Sequence, residues 1–229
     1  MSKIQAEYCY LISGLSGSIG TSLAELLTSE GCRVIGITRS NIDKNLLEKY
    51  PNVEWMSYDA SKMDPTEEVF NNLKNLVPQK LSGVFHCSGQ YFQGSPLDFS
   101  QKDYLNSLKA NLISAINVTK LSIDLIKPGG SIVIINSQAA ISASEEEISY
   151  GISKRAISSY VDGMQIEATK REIQIVNVLC GAVQSSMAKG RNGHEKFISP
   201  NELSRTLYYL SKAGKSLRIK DIEILRRQY

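Results

Sequence analysis

The sequence predicts an α/β domain, doubly wound, with a seven-stranded parallel sheet covered by helices on both faces. Three observations predict it. Short apolar runs alternate with amphipathic stretches through most of the chain; a glycine-rich turn joins the first run to the first amphipathic stretch; and 229 residues of ordinary apolar and charged content fit one domain spanning 1–229.

Taken in order, the strands are read at Tyr8–Ser13, Arg33–Thr38, Val53–Tyr58, Gly83–Cys87, Ser131–Asn136, Gln174–Cys180 and Arg218–Leu225. Most are apolar on both sides, as strands sandwiched between helices must be. The first helix runs from about Ser18 to Glu30 and stops at Gly31, which tolerates the left-handed conformation. Asp64-Pro65-Thr66-Glu67 reads as an N-cap, a proline in the first helical position and a carboxylate in the third; Ser199-Pro200-Asn201-Glu202 repeats the signal. Long helices are expected from about Ser100 to Ile126 and from Ser149 to Arg171, with Pro128-Gly129-Gly130 as the turn after the first of these.

Bulk chemistry removes several functional classes. A net charge of +3 is too mild to argue for nucleic acid, although Lys170 to Tyr229 carries twelve basic and five acidic side chains and so could attract an anionic substrate or carrier. The N-terminus shows neither a secretory signal nor a membrane span, which reads as cytosolic with no membrane partner. Cys9, Cys32, Cys87 and Cys180 lack metal spacing, and His86 and His194 stand apart from cysteines and carboxylate pairs, so no metal site is expected.

Ser13-Gly14-Leu15-Ser16-Gly17-Ser18-Ile19-Gly20 follows the first strand and opens the first helix. Gly14 permits a tight turn, Gly17 keeps the backbone bare and Gly20 lets the helix pack closely. Free N–H groups at the helix start then face a pyrophosphate. Further on, Tyr150 and Lys154 stand four apart and share one helix face, with Ser137 thirteen residues before Tyr150 at the end of an apolar run. The spacing alone discriminates little, since Tyr58 with Lys62 and Tyr208 with Lys212 repeat it. The residues thirteen before those tyrosines are Asn45 and Glu195, so only Tyr150 has a hydroxyl there.

The glycine loop resembles the Thr-Gly-x-x-x-Gly-x-Gly motif of the short-chain dehydrogenases/reductases, and Ser137, Tyr150 and Lys154 are similar to that family's catalytic signature. Co-linear matches continue along the chain. His86-Cys87-Ser88-Gly89 stands where the family has Asn-x-Ala-Gly, Asn111 matches the helix asparagine, and Cys180-Gly181-Ala182-Val183-Gln184-Ser185 matches the Pro-Gly-x-x-x-Thr stretch. Ser18, His86 and Cys180 depart from the pattern, and the Asp-Gly-Gly close is absent.

The resemblance implies a Rossmann fold, a nicotinamide dinucleotide and reduction of a ketone or aldehyde. Tyr150 would be the general acid, Ser137 would hold the carbonyl oxygen, and Lys154 would bind the ribose and lower the phenol's pKa from about 10. Asn111 would help to hold a water chain. Arg39 and Ser40, directly after the second strand, suit a 2′-phosphate and hence NADP(H). Other cofactor contacts are expected from Gly14, Ser16, Gly17, Ser18, Ile19 and Gly20, from Asp59 and Ala60, from Cys87, Ser88 and Gly89, and from Gly181, Val183 and Ser185.

Tyr91, Gln138, Gln184 and Met187 are candidates for the substrate pocket, under a short basic lid at Ala188–Lys196. The substrate expected is a free or carrier-linked carbonyl compound: a 3-oxoacyl thioester, a polyketide-like intermediate or a sugar-derived ketone. The alternatives are an NADP(H)-binding regulator or scaffold without turnover, and a sugar-nucleotide epimerase. The resemblance also implies a homodimer or homotetramer; Leu105, Leu112, Ile157, Val161 and Met164 line either its interface or the core.

Overall fold

A computed structural model describes residues 7–39, 48, 50, 53–62, 64–77, 79–142, 144–213 and 216–227. Seven strands form one parallel sheet: β1 (Cys9–Ser13), β2 (Arg33–Thr38), β3 (Val53–Ser57), β4 (Leu81–His86), β5 (Ile126–Ile135), β6 (Gln174–Cys180) and β7 (Asp221–Ile224). Their order is β3-β2-β1-β4-β5-β6-β7, so the strand sequence reverses direction between β1 and β4. In an open sheet that crevice, at the carboxyl ends of the strands, is where a ligand fits.

Among the described residues six α-helices cover the sheet: α1 (Ser18–Ser29), α2 (Glu67–Leu76), α3 (Gln101–Leu108), α4 (Ser114–Ser122), α5 (Ile148–Lys170) and α6 (Pro200–Ser211). Each face has its own core. Leu11, Ile35, Val84, Ile132 and Ile134 pack with Leu73, Val118 and Ile157 on one side. On the other, Ile12, Val34, Phe85, Val133 and Val176 meet Leu23, Leu27, Leu203 and Leu207. Alternate residues of β5 thus point to opposite cores, the period-two geometry of a strand.

Several expected boundaries shift. Asp64 does not cap α2; Thr66 does, accepting from the Val69 amide, while Asp64 pairs with Lys120 at 2.8 Å. The Thr66 hydroxyl has a backbone donor within reach that Asp64, two residues earlier, lacks. Pro128-Gly129-Gly130 is no separate turn: β5 begins at Ile126, and the register slips between Leu81 paired with Ile126 and Gly83 paired with Ser131, with Gly129 at φ +80° absorbing the irregularity.

The single helix expected from Ser100 to Ile126 is interrupted. Between α3 and α4 lies a π-helical turn at Lys109–Ile113, and Ile123–Leu125 closes as a 3₁₀ turn. Such wide turns break the hydrogen-bond ladder and favour functional positions. Of the five residues expected at either an interface or the core, Ile157 and Val161 are buried in the core and Leu112 and Met164 pack against it; Leu105 alone stays 46% exposed.

The glycine loop sets the distance between α1 and the sheet. A Cβ on Gly20 would lie 2.2 Å from the Gly14 carbonyl oxygen, and one on Gly14, at φ +73°, 2.8 Å from the Ser88 amide. Gly20→Ala is therefore expected to push α1 off the loop and destabilise the fold by about 1–3 kcal/mol, read from the urea midpoint. An unchanged midpoint would mean that the loop yields without strain.

Candidate active site

Two adjoining cavities open at the carboxyl edge of the sheet. The larger, about 310 Å³, lies between Ile135–Ala139 at the end of β5, the first turns of α5 and the segment after β6. The smaller, about 160 Å³, lies between the glycine loop, the end of β2 and the Tyr58–Ser61 turn. Both are walled by Gly17, by Cys87 to Gln90 and by Met187, so they form one continuous cleft.

Nearly every residue expected from the sequence meets here. Ser137, Tyr150 and Lys154 line the larger cavity with Ser18, Ile19, Gly20, Gly181, Val183 and Ser185. Gly14, Ser16, Arg39, Asp59 and Ala60 line the smaller. Tyr91 and Gln138 also face the larger cavity, and Met187, half exposed, borders both. Three expected residues stand apart, Asn111 among them, buried behind the cavity walls. Gln184 lines neither cavity; its amide donates to the Glu195 carbonyl at 2.9 Å and holds the following segment together. Ser40 lies outside the described residues.

The cleft has the features that a dinucleotide requires. Gly17 caps α1 without a side-chain hydrogen bond, and no acid occupies the helix's first turn, so the positive end of the helix dipole faces the cavity uncancelled. Arg39 is exposed on the smaller cavity with no partner among the described residues. Burial tends to raise the Asp59 carboxyl, but hydrogen bonds from Ser61 and Lys62 outweigh it and hold it below the ordinary range. Asp59 is thus already engaged, with Ser61 Oγ at 2.6 Å.

A buried network positions the reactive groups. Asn136 Oδ1 accepts from the Ser137 amide at 2.8 Å, while its Nδ2 donates to the Lys154 carbonyl, Ser158 Oγ and Asn177 Oδ1 at 2.9–3.0 Å. Lys154 Nζ donates to the Ile135 carbonyl at 3.1 Å and lies 5.6 Å from the centre of the Tyr150 ring. Desolvation lowers the Lys154 ammonium to about 8. The same desolvation pushes Tyr150 up to about 12, against the Ser137 hydroxyl, which pulls it down. The expected depression of Tyr150 by Lys154 is therefore not what the protein groups produce: burial dominates and keeps the phenol protonated.

Asn111, in the π turn, is fully buried. Its Nδ2 donates to the Gln90 and Ser107 carbonyls and to Ser153 Oγ, and its Oδ1 accepts from the Gln90 amide at 3.0 Å. With these partners the Asn111 side chain anchors the loop after β4 to the π turn and to α5. A Cβ on Gly89 would lie 2.8 Å from Asn111 Oδ1 and 3.7 Å from Lys154 Nζ, so this bare position lets both groups approach.

Other site groups carried no local sequence signal. Glu147 accepts from Tyr91 Oη at 2.7 Å and pairs with Arg191 at 3.2 Å; Arg191 lies 5.0 Å over the Tyr91 ring, which meets Tyr150 edge-on at 5.2 Å. The expected lid is structured by 3₁₀ turns at Ser186–Ala188 and His194–Lys196, and its ends close where Val183 bridges Ile198. His86 is buried between Ser13 Oγ at 2.8 Å from Nδ1 and Ser114 Oγ at 3.5 Å from Nε2, and Ser88 Oγ donates to Ser13 Oγ at 3.2 Å.

A sequence model described as short chain dehydrogenase matches residues 9–196. An uncharacterized oxidoreductase of Staphylococcus aureus (strain USA300) is 20% identical over 225 residues, covering 93% of this chain and 95% of that protein. The NADPH-dependent 1-acyldihydroxyacetone phosphate reductase of Schizosaccharomyces pombe is 25% identical over 186 residues, covering 80% of this chain and 62% of its own. The crystal structure of BdcA in complex with NADPH is similar in fold, with a TM-score of 0.83 at 17% identity over 96% of this chain and 94% of that one.

The buried imidazole gives a pH prediction. Burial, and secondarily Lys154, lowers His86 from 6.5 to about 3. Below its ordinary value the unfolded chain binds a proton that the folded chain refuses. Stability is then complete above about pH 6.5 and falls by about 1.4 kcal/mol per unit as pH drops toward 3. His86→Asn should flatten the fall between about pH 7 and pH 5 relative to wild type in urea titrations; parallel slopes would show that His86 does not drive it.

Proposed function

The chain belongs to the short chain dehydrogenase family of oxidoreductases, and from that premise we propose that it is an NADPH-dependent reductase of a ketone or aldehyde carbonyl. One observation carries the reading: Ser137, Tyr150 and Lys154 converge on one cavity continuous with the glycine loop, with the phenol held in its protonated form.

The residues present suit a dinucleotide. The start of α1 would face the pyrophosphate, Arg39 the 2′-phosphate, and Lys154 the nicotinamide ribose. When bound, the reduced nicotinamide supplies hydride. The chain supplies placement and the proton. Ser137 and Tyr150 line the same cavity, so a carbonyl oxygen set between their hydroxyls would accept from both. As charge develops on that oxygen, Tyr150 transfers its proton. A phenol at about 12 is reluctant to lose a proton to water yet well matched to an alkoxide. Lys154 stabilises the phenolate that remains, its charge strengthened by the lack of competing water at a buried position.

Support for NADPH over NADH comes from Arg39 and from the absence of an acid at residue 39, the first after β2. The S. pombe relative's dependence on NADPH agrees with it.

Oxidation of NADPH against a panel of ketones, aldehydes and acyl thioesters tests the reaction. Tyr150→Phe should lower kcat by about a hundredfold or more while NADPH still binds; equal rates in the two proteins would sink the mechanism. For the cofactor, Arg39→Asp should weaken NADPH binding on the order of ten- to hundredfold and favour NADH. An unchanged ratio of the two cofactors' kcat/KM would remove Arg39 from that role.

A further inference from the structure

Beyond the cleft, past Gly181 and Ala182, a third and more open cavity of about 640 Å³ continues toward the end of β7. It shares Gly181, Ala182 and Arg191 with the larger cavity of the cleft, and no residue of the glycine loop or the Arg39 side lines it. Arg226, which lines this chamber alone, stands apart from the residues that would hold a dinucleotide's phosphates.

Two guanidiniums line this chamber, Arg191 and Arg226, and no carboxylate does among the described residues. Two like charges on one cavity wall are unfavourable unless something answers them. Arg191 is answered from the cleft side by Glu147 at 3.2 Å. Arg226 has no hydrogen bond or ion pair among the described residues, and its Nη1 is 3.8 Å from where a Cβ on Gly193 would lie, over the lid's left-handed turn. The nearest acid along its strand, Glu223, is taken by Gln138 Nε2 at 3.2 Å. The rest of the wall is mostly apolar, with Phe197, 5.7 Å beneath Arg191, Leu225, 58% exposed, and Asn192 as its one uncharged polar side chain among the described residues.

The lining is thus graded across the shared wall of Gly181, Ala182 and Arg191: Tyr150, Ser137 and Tyr91 line the cleft side, and Phe197, Leu225 and the Arg226 guanidinium line the outer side. From this gradation we infer that the substrate is an anionic carbonyl compound. Its carbonyl meets Tyr150, its apolar body lies along Tyr91, Phe197 and Leu225, and its carboxylate or phosphate end is held by Arg226 with Arg191. A guanidinium fork pairs with either oxyanion through two parallel N–H donors, and a doubly charged phosphate is matched by both arginines together. This deepens the carbonyl-reductase reading and rests on it for the position of the carbonyl.

Two measurements separate the inference from that reading. In the first, wild type and Arg226→Gln, each saturated with NADP⁺, are titrated by calorimetry with octanoate, octyl phosphate and neutral octanol. Loss of Arg226 should weaken both anions about tenfold and leave octanol unmoved. Octyl phosphate binding more tightly than octanoate assigns the end group as phosphate, and the reverse assigns carboxylate. In the second, NADPH oxidation is followed with keto acids of increasing length and with their methyl esters. The acid should be preferred in kcat/KM at one chain length, and Arg226→Gln should bring the acid-to-ester ratio toward one through KM rather than kcat.

Equal affinities for the anions in the two proteins, or binding of neither anion, overturn the inference. Ketone reduction with no acid preference overturns it while leaving the reductase reading intact. Arg226-dependent binding of the anions without reduction of any carbonyl upholds the anion site and removes the reductase.

Discussion

The site depends on the side-chain amide of Asn136, one residue past β5. That single planar group fixes the Ser137 amide through its oxygen and the Lys154 carbonyl through its nitrogen, so the strand end and the second turn of α5 are set relative to each other by one rigid unit. Its nitrogen also reaches Asn177 in β6, which donates to Ser158 in α5 and to Asp221 at the start of β7. An unpaired buried amide costs about 1–3 kcal/mol, and members of such networks reinforce one another. The chain thus resists any relative sliding of β5, β6 and α5, and the distance from Ser137 to Tyr150 and Lys154 is held by the same bonds.

Electrostatics follow from that placement. A lysine this deeply buried has its ammonium held by one carbonyl, that of Ile135, and desolvation takes it to about 8. The neighbouring phenol feels the same lack of water in the opposite sense and rises to about 12. Burial thus drives the two values apart, the ammonium below the phenol. Any cation arriving beside Tyr150 therefore acts in a dry surrounding, where its field is least screened. Glu147 adds to the rise of the phenol, and its partner Arg191 opposes it.

How much of this could be read from the sequence depended on whether the signal was local. β2 and β6 have the expected ends, because apolar runs end where strands leave the core. Both the glycine loop and the i, i+4 pair were legible, since each is a contact between near neighbours in sequence. The π turn was not: Lys109–Ile113 has an unexceptional helical composition, and the widened turn is fixed by Asn111 reaching Gln90 and Ser153 across the fold. Gln184 was misplaced for a related reason. Its position after β6 suggested the pocket, yet Val183 pairs with Ile198 and turns the next residue toward Glu195. The interface residues remained ambiguous in sequence because apolar positions on a helix do not reveal what they face.

The segment after β6 joins the two halves of the cleft mechanically. At one rim the Ser186 amide reaches Ser18 Oγ in the glycine loop at 3.4 Å; at the other, Arg191 reaches Glu147. Its stem is closed by reciprocal backbone bonds, Gln184 to Ile198 and Ile198 to Ala182, each at 2.9 Å. The stem is therefore the fixed part and the two rim contacts are the weak ones. A half-exposed ion pair contributes about 0–1 kcal/mol, and a hydrogen bond at 3.4 Å lies beyond the favoured range. Opening either rim costs little, whereas opening the stem breaks two good backbone bonds. Because the segment carries Met187 against both cavities, displacement at the Ser18 rim changes the wall of the substrate side as well. A ligand filling the glycine loop and one filling the Tyr150 cavity thus act on a common strap, and neither site can be shaped without reference to the other.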